Sequence, residues 1–247
     1  FYLKTLLLRS FLKGKVYTFS YSDVLRLEEY FSYLFSNQNV DCSQSTNVTS
    51  KYLMLTQEVI RQNSNFTNIS FSANKFNIFC NNSQPVVDFI TKNNIIKYIV
   101  LCPNSSEKVR IWKLKYWMDL IIHLINKKKY KILLLGLDFT PIGNQIKNKI
   151  IQGNLDKSDF LYILPKYSLN QAASVLKKCQ YLIAHDSCIL HMGNFLGIKT
   201  IGIYGPTCGT WNCSYYQNCQ VLQGKTNLVR YKNHWDGDCI HQINYLD

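Results

Sequence analysis

From residue 95 onward the chain alternates short apolar runs with amphipathic stretches, and this alternation constrains its fold more than any other feature. Ile95–Cys102 is a β-branched apolar run stopped by Pro103, the pattern of a buried strand. Trp117, Leu120, Ile121, Leu124 and Ile125 then recur at helical spacing and predict an amphipathic helix. Lys131–Leu135, closed by Gly136, and Phe160–Leu164 predict two more short strands. Ser168 followed by Gln171 is a capping box, with Leu169, Ala172, Ala173 and Leu176 as the inner helix face. Tyr181–Ala184 predicts a strand, Asp186–Leu196 a helix ended by Gly197, and Lys199–Tyr204 a strand ended by Gly205-Pro206. Strand–helix alternation with short joints implies an α/β fold, a parallel sheet covered by helices on both faces. Ligands in such sheets bind outside the carboxyl ends of the strands.

Three joints on that edge carry the residue types a phosphate ligand needs. In Ala184-His185-Asp186-Ser187-Cys188-Ile189-Leu190-His191 a strand passes into a helix at Asp186. The free amides and dipole of a helix start favour an anion. Ser187 and His191, at i and i+4, share one helix face. Such a start could hold a diphosphate, with Asp186 on a hydroxyl and His191 on a phosphate or sugar. The same spacing also suits plain capping by Asp186 and a half-buried His191. Gly205-Pro206-Thr207 follows the next strand, either as part of a phosphate rim or as an ordinary turn. The third joint, Pro103-Asn104-Ser105-Ser106-Glu107-Lys108-Val109-Arg110-Ile111-Trp112, offers hydroxyls and then Arg110, whose guanidinium can grip a phosphate with two parallel bonds.

Composition supports an anionic partner. Lys plus Arg is 28 and Asp plus Glu is 15, a net +13. Much of the excess lies between Lys108 and Lys149, where Lys127-Lys128-Lys129 reads as a solvated helix end. No nucleic-acid recognition motif accompanies the charge, so nucleic acid is not the expected partner. No apolar run approaches the ~18 residues of a membrane span. Phe1–Arg9 is apolar but broken by Lys4 and lacks the layout of a signal peptide. Nine cysteines without a CxxC pair suggest a reduced, cytoplasmic chain and give little support to a metal site. Residues before 93 are less legible: Lys75–Cys80 suggests a strand, and Asn81–Gln84 and Asn93-Asn94 suggest linkers.

Taken together and in this order, the three joints resemble glycosyltransferase family nine, the bacterial ADP-heptose:lipopolysaccharide heptosyltransferases. The family signature Asp-Ser-Gly-x-x-His, then Leu-Gly, a β-run and Phe/Tyr-Gly-Pro-Thr, is similar to Asp186-Ser187-Cys188-Ile189-Leu190-His191, Leu196-Gly197, Thr200–Ile203 and Tyr204-Gly205-Pro206-Thr207. The family's Pro-Gly-Ala-Ser loop followed by Lys-x-Trp is similar to Pro103-Asn104-Ser105-Ser106 and Arg110-Ile111-Trp112. The helix over 168–178 matches a family helix as well, so the resemblance covers roughly Ile95 to Thr207.

The resemblance implies a GT-B fold of two Rossmann-like domains. Residues 1–93 would form an incomplete, acceptor-side N-terminal domain, and 94–247 a C-terminal nucleotide-sugar-binding domain with a C-terminal extension. It implies that Ser105, Ser106, Arg110, Asp186, Ser187, His191 and Thr207 bind the donor, with ADP-heptose as the expected nucleotide-sugar. The implied reaction is an inverting sugar transfer without metal or cofactor, to a lipopolysaccharide core or another lipid-linked glycan. A basic, aromatic surface could then make peripheral contact with the inner, anionic face of the cytoplasmic membrane.

The sequence departs from the family at three points. Cys188 replaces a Gly, so close backbone approach to a ligand is in question. Thr140 lies near the family's ribose-contacting Glu, with only Asp138 close by. The Gly-Asp loop that supplies the family's catalytic base is not found before Phe1-Tyr2-Leu3, and no initiator Met is present. A member lacking that strand and loop would bind donor without transferring sugar, so no catalytic residue is assigned.

Overall fold

A computed structural model of the chain describes residues 17–20, 38–41, 83–213, 217–225 and 239–243. The chain divides into two compact units, Phe1–Phe71 and Ser72–Asp247. In the first, β1 (Tyr17–Ser20) and β2 (Gln38–Asp41) pair in parallel. The expected strand over Lys75–Cys80 lies outside the described residues.

The second unit is built on six parallel strands: β3 (Tyr98–Cys102), β4 (Lys131–Leu134), β5 (Leu161–Ile163), β6 (Tyr181–His185), β7 (Thr200–Tyr204) and β8 (Cys219–Gln223). Their order across the sheet is β5-β4-β3-β6-β7-β8. Within this unit the chain lays down its first three strands in one direction, returns to the middle, and lays down three more in the other. That is the doubly wound Rossmann order, and its reversal, between β3 and β6, opens a crevice at the strand ends.

The pleat of β3 sorts its side chains between two cores. Val100 and Cys102 enter one with Leu133, Val175, Leu182 and Leu190. Ile99 and Leu101 enter the other with Trp117, Ile121, Ile132, Ile146 and Ile150. All five residues of β3 are buried, as expected of a strand covered on both faces. Full burial of each such Ile, Val or Leu is worth roughly 1.5–3 kcal/mol.

Helices α1 (Gln84–Lys92) and α4 (Leu169–Leu176) pack together over the first core, and α5 (Cys188–Phe195) lies beside them. Helices α2 (Leu114–Lys127) and α3 (Pro141–Gln152) pack together over the second. A short helix, α6 (Gly209–Cys213), rests on β8.

Several boundaries differ from the sequence reading. Strand β3 begins at Tyr98 rather than Ile95, after a connection that buries Ile95 but leaves Ile96 80% exposed. The suggested linker at 81–84 runs into α1, which starts at Gln84, has Pro at its first turn and buries Val86 in the core of the second unit. Asn93-Asn94 is the end of that helix, with Asn94 in the left-handed region at φ 47°. Lys128, also left-handed, ends α2, so Lys127-Lys128-Lys129 is the exposed helix end the sequence suggested. Helix α3 was not foreseen. Thr140 caps it from the side chain, Pro141 opens it, and Ile142, Ile146 and Ile150 form its buried stripe. The capping box at Ser168 and Gln171 is present in both directions, 2.8 and 3.3 Å.

Candidate donor site

The crevice between β3 and β6 opens into a cavity of about 1070 Å³ at the carboxyl ends of the strands. Its walls come from the joints singled out in the sequence: Ser105, Ser106 and Arg110 after β3, and Asp186, Ser187 and His191 after β6.

Asp186 is the hub. It is almost fully buried, and each of its carboxylate oxygens is engaged. Oδ1 faces Nε2 of His191 at 3.3 Å. Oδ2 accepts from Thr207 Oγ1 at 2.8 Å and from Asn212 Nδ2 at 3.4 Å, and pairs with Arg110 Nη1 at 3.2 Å. The same Nη1 reaches the Asp186 carbonyl at 3.5 Å. Burial alone would raise the Asp186 pKa. The His191 hydrogen bond, the Arg110 charge and the Thr207 hydroxyl outweigh it and hold the carboxyl below its ordinary value. Asp186 therefore stays ionised and fixes Arg110 and His191 on the cavity wall.

This corrects one expectation. Asp186 does not cap α5. The helix starts at Cys188, and Ser187, in extended conformation at φ −151°, occupies the cap position without a side-chain cap bond. The Ser187 Oγ is buried without a hydrogen-bond partner, although a buried hydroxyl normally has one. Ser187, Cys188 and Ile189 line the cavity, so the free amides of the helix start lie at its wall, with the Ser187 hydroxyl buried just behind it.

The β3 and β4 joints are tied together beneath the ligand space. Asn104 donates to the Gly136 carbonyl and accepts from the Thr140 hydroxyl. Gly136 is required here: its φ is +80°, and a Cβ would lie 2.7 Å from the Asn104 amide. Ser105 is buried, with its Oγ accepting from the Glu107 amide at 3.4 Å, whereas Ser106 is exposed.

Six of the seven residues picked from the sequence line the cavity. Thr207 does not; it stands behind Asp186 and acts on it. Asp138 is also off the cavity, turned to Lys147 at 2.9 Å, while Thr140 is on it.

Sequence reasoning missed Asn104, Thr140, Lys166, Ser168 and Gln171 as cavity residues. Lys166 adds a second cation, with its Nζ 5.1 Å from the Phe139 ring. It directly follows Leu164-Pro165 at the end of β5, so its place on the ligand edge was available from the strand pattern. Cys188 is exposed on the wall where the family has Gly. Cys102 lines it too, with its thiol pushed up to about 12 by burial. Among the described residues, no cluster of three or more His, Cys, Asp or Glu could hold a metal ion.

Comparison with known proteins gives the same direction. The family model Glycosyltransferase family 9 (heptosyltransferase) matches residues 5–231. Lipopolysaccharide heptosyltransferase 1 of Campylobacter coli is 27% identical over 187 residues, which are 73% of this chain and 53% of that protein. The chain thus spans about half the length of the curated relative it matches. The structure of E. coli heptosyltransferase WaaC with ADP aligns over 100% of this chain and 67% of its own, at 17% identity and a TM-score of 0.64. The same enzyme with ADP-2-deoxy-2-fluoro heptose aligns over 91% and 64%, at 17% identity and a TM-score of 0.59. These two likenesses establish a shared α/β fold.

Proposed function

Because the chain belongs to glycosyltransferase family 9, we propose that its cavity binds a nucleotide-diphosphate sugar, ADP-heptose, for inverting transfer of the heptose to a lipopolysaccharide core. The observation that carries this reading is the convergence of Arg110, Ser187 and the first residues of α5 on a large cavity at the sheet's point of reversal.

The diphosphate would lie at the start of α5, where the helix dipole and the Arg110 guanidinium meet its charge. His191 is fixed beside it by Asp186. Ser105 and Ser106 offer hydroxyls on the opposite wall, and Lys166 adds positive charge nearby. Thr140 stands where the ribose would be contacted.

In the transfer, an acceptor hydroxyl attacks the anomeric carbon from the face opposite the diphosphate. The bond to the leaving oxygen breaks as the new glycosidic bond forms, which inverts the centre. Charge builds on the departing diphosphate, where Arg110 and the helix amides are already oriented. Among the described residues Asp186 is the only carboxylate on the cavity wall, and it is committed to Arg110, His191 and Thr207. The cavity therefore offers no uncommitted carboxylate to take the acceptor proton, which leaves His191 or a group outside the described residues. That observation favours one second reading, a donor-binding protein without transferase activity. The acceptor would be lipid-linked and met at an anionic membrane surface, with the protein peripheral to it. No helix among the described residues is long and apolar enough to cross a membrane.

Calorimetric titration with ADP, UDP and GDP, beside Asp186→Ala, tests the reading. Selective ADP binding that the variant loses supports it. Preference for UDP or GDP would change the donor, and no binding by the folded chain would refute the site.

A further inference from the structure

The loop after β3 brings Ser105, Ser106 and Arg110 to the cavity, yet its internal order amounts to one turn of 3-10 helix over Lys108–Arg110. It is anchored just beyond, at Trp112. The Trp112 amide donates to Nε2 of His185 at 3.0 Å, in a buried bond between residues far apart in the chain. The Trp112 indole donates to the Ile243 carbonyl at 2.9 Å. The rings interlock: Trp112 meets Trp117 edge-on at 5.5 Å and 82°, and Trp117 meets His185 at 5.2 Å and 80°. His185 is the last residue of β6 and immediately precedes Asp186.

We infer that His185 is a positioning residue for the donor site, acting through the Trp112 amide to set where Arg110 meets Asp186. Three observations support the assignment. The bond joins the two joints that form the Arg110–Asp186 pair, one residue from Asp186 and two from Arg110. An Nε2 that accepts must be unprotonated, and burial holds His185 neutral by lowering its pKa to about 3. Finally, the side chain is fully buried and does not line the cavity, so its influence on a ligand has to pass through the loop. The inference rests on the donor-site reading for its effect on binding, but its effect on the loop is independent of any ligand.

The test compares the full chain with His185→Phe, which keeps a ring against Trp117 and removes the acceptor, and with His185→Gln, which restores an acceptor near the Nε2 position. Hydrogen exchange of the 105–112 segment is read without nucleotide, and ADP affinity is read by calorimetry. His185→Phe should speed exchange in that segment roughly tenfold and weaken ADP by a similar factor, with most of both recovered in His185→Gln. In an Arg110→Ala background, His185→Phe should cost less than about twofold more, because its effect passes through Arg110. If His185→Phe does not fold, His185→Asn, whose amide falls short of the Trp112 amide, replaces it with the same expected losses. Unchanged exchange in a folded acceptor-less variant, or an ADP loss of equal size with and without Arg110, would overturn the inference. A wild-type chain that does not bind ADP would refute the donor reading, and the exchange comparison would then decide the role of His185 alone.

Discussion

Acid should destabilise this protein through His185, and the size of the effect follows from its burial. The imidazole has no exposed surface, and its pKa falls from 6.5 to about 3. Burial is the main cause and the neighbouring His241 adds to it, while the backbone at Pro103 and Asn104 and the charge of Asp186 pull the other way without offsetting them. In the unfolded chain the same ring takes up a proton as the pH drops through its ordinary value. The unfolded state then binds more protons than the folded one, so stability is full above about 6.5 and declines as pH falls towards 3. Each unit within that window costs about 1.4 kcal/mol. Two units, at pH 4.5, amount to roughly 3 kcal/mol, or about 6–12 °C in Tm for a unit of this size. Urea denaturation at pH 7.5 and 4.5, for the natural chain and for His185→Phe, measures it. The natural chain should lose roughly 3 kcal/mol more than the variant over that interval. Parallel losses would refute the reasoning, because they would mean that the ring is hydrated or already protonated in the folded state.

Other expectations concern packing, capping and the cavity thiol. Gly143→Ala would place a Cβ 2.0 Å from the Leu137 carbonyl, and backbone cannot yield cheaply, so the urea midpoint should report a loss of roughly 2–3 kcal/mol. An unchanged midpoint would show that α3 can shift. Ser168→Ala removes one half of the capping box of α4 and should cost about 1 kcal/mol by the same assay. Among the described cysteines, Cys188 is the exposed one, and it lies on the cavity wall. N-ethylmaleimide should therefore alkylate it ahead of the other described cysteines and abolish ADP binding, ADP should protect it, and the ADP binding of Cys188→Ser should survive the reagent. Alkylation that left binding intact would move the ligand away from α5.

Much of the fold was legible because it depends on local pattern. Apolar runs such as Lys131–Leu135 and Tyr181–Ala184 can be buried on both sides only in a covered parallel sheet, and β4 and β6 stand there. The candidate site was legible for a topological reason: every joint after a strand falls on the same edge, so Arg110 and Asp186, far apart in sequence, were expected together. What was missed depends on tertiary contacts or weak signals. Helix α3 contains Gly143, Asn144 and Gln145 in its first turns, which blurred a stripe carried by three isoleucines. Residue type and spacing leave Asp186 open between a helix cap and a ligand-contacting carboxylate. Of its partners only His191 is near in sequence; Arg110, Thr207 and Asn212 are distant, and no local pattern announces them. His185 gave no signal, since a single histidine at a strand end has no pattern; its role depends on Trp112 arriving beside it.

The central claim is that a nucleoside diphosphate binds at the start of α5. A crystal structure of the chain with ADP tests it most directly. The account predicts diphosphate oxygens within hydrogen-bond distance of the Ser187 hydroxyl, the first α5 amides and the Arg110 guanidinium, with the ribose towards Thr140. A nucleotide bound elsewhere, or one whose phosphates face away from Arg110 and α5, would contradict it.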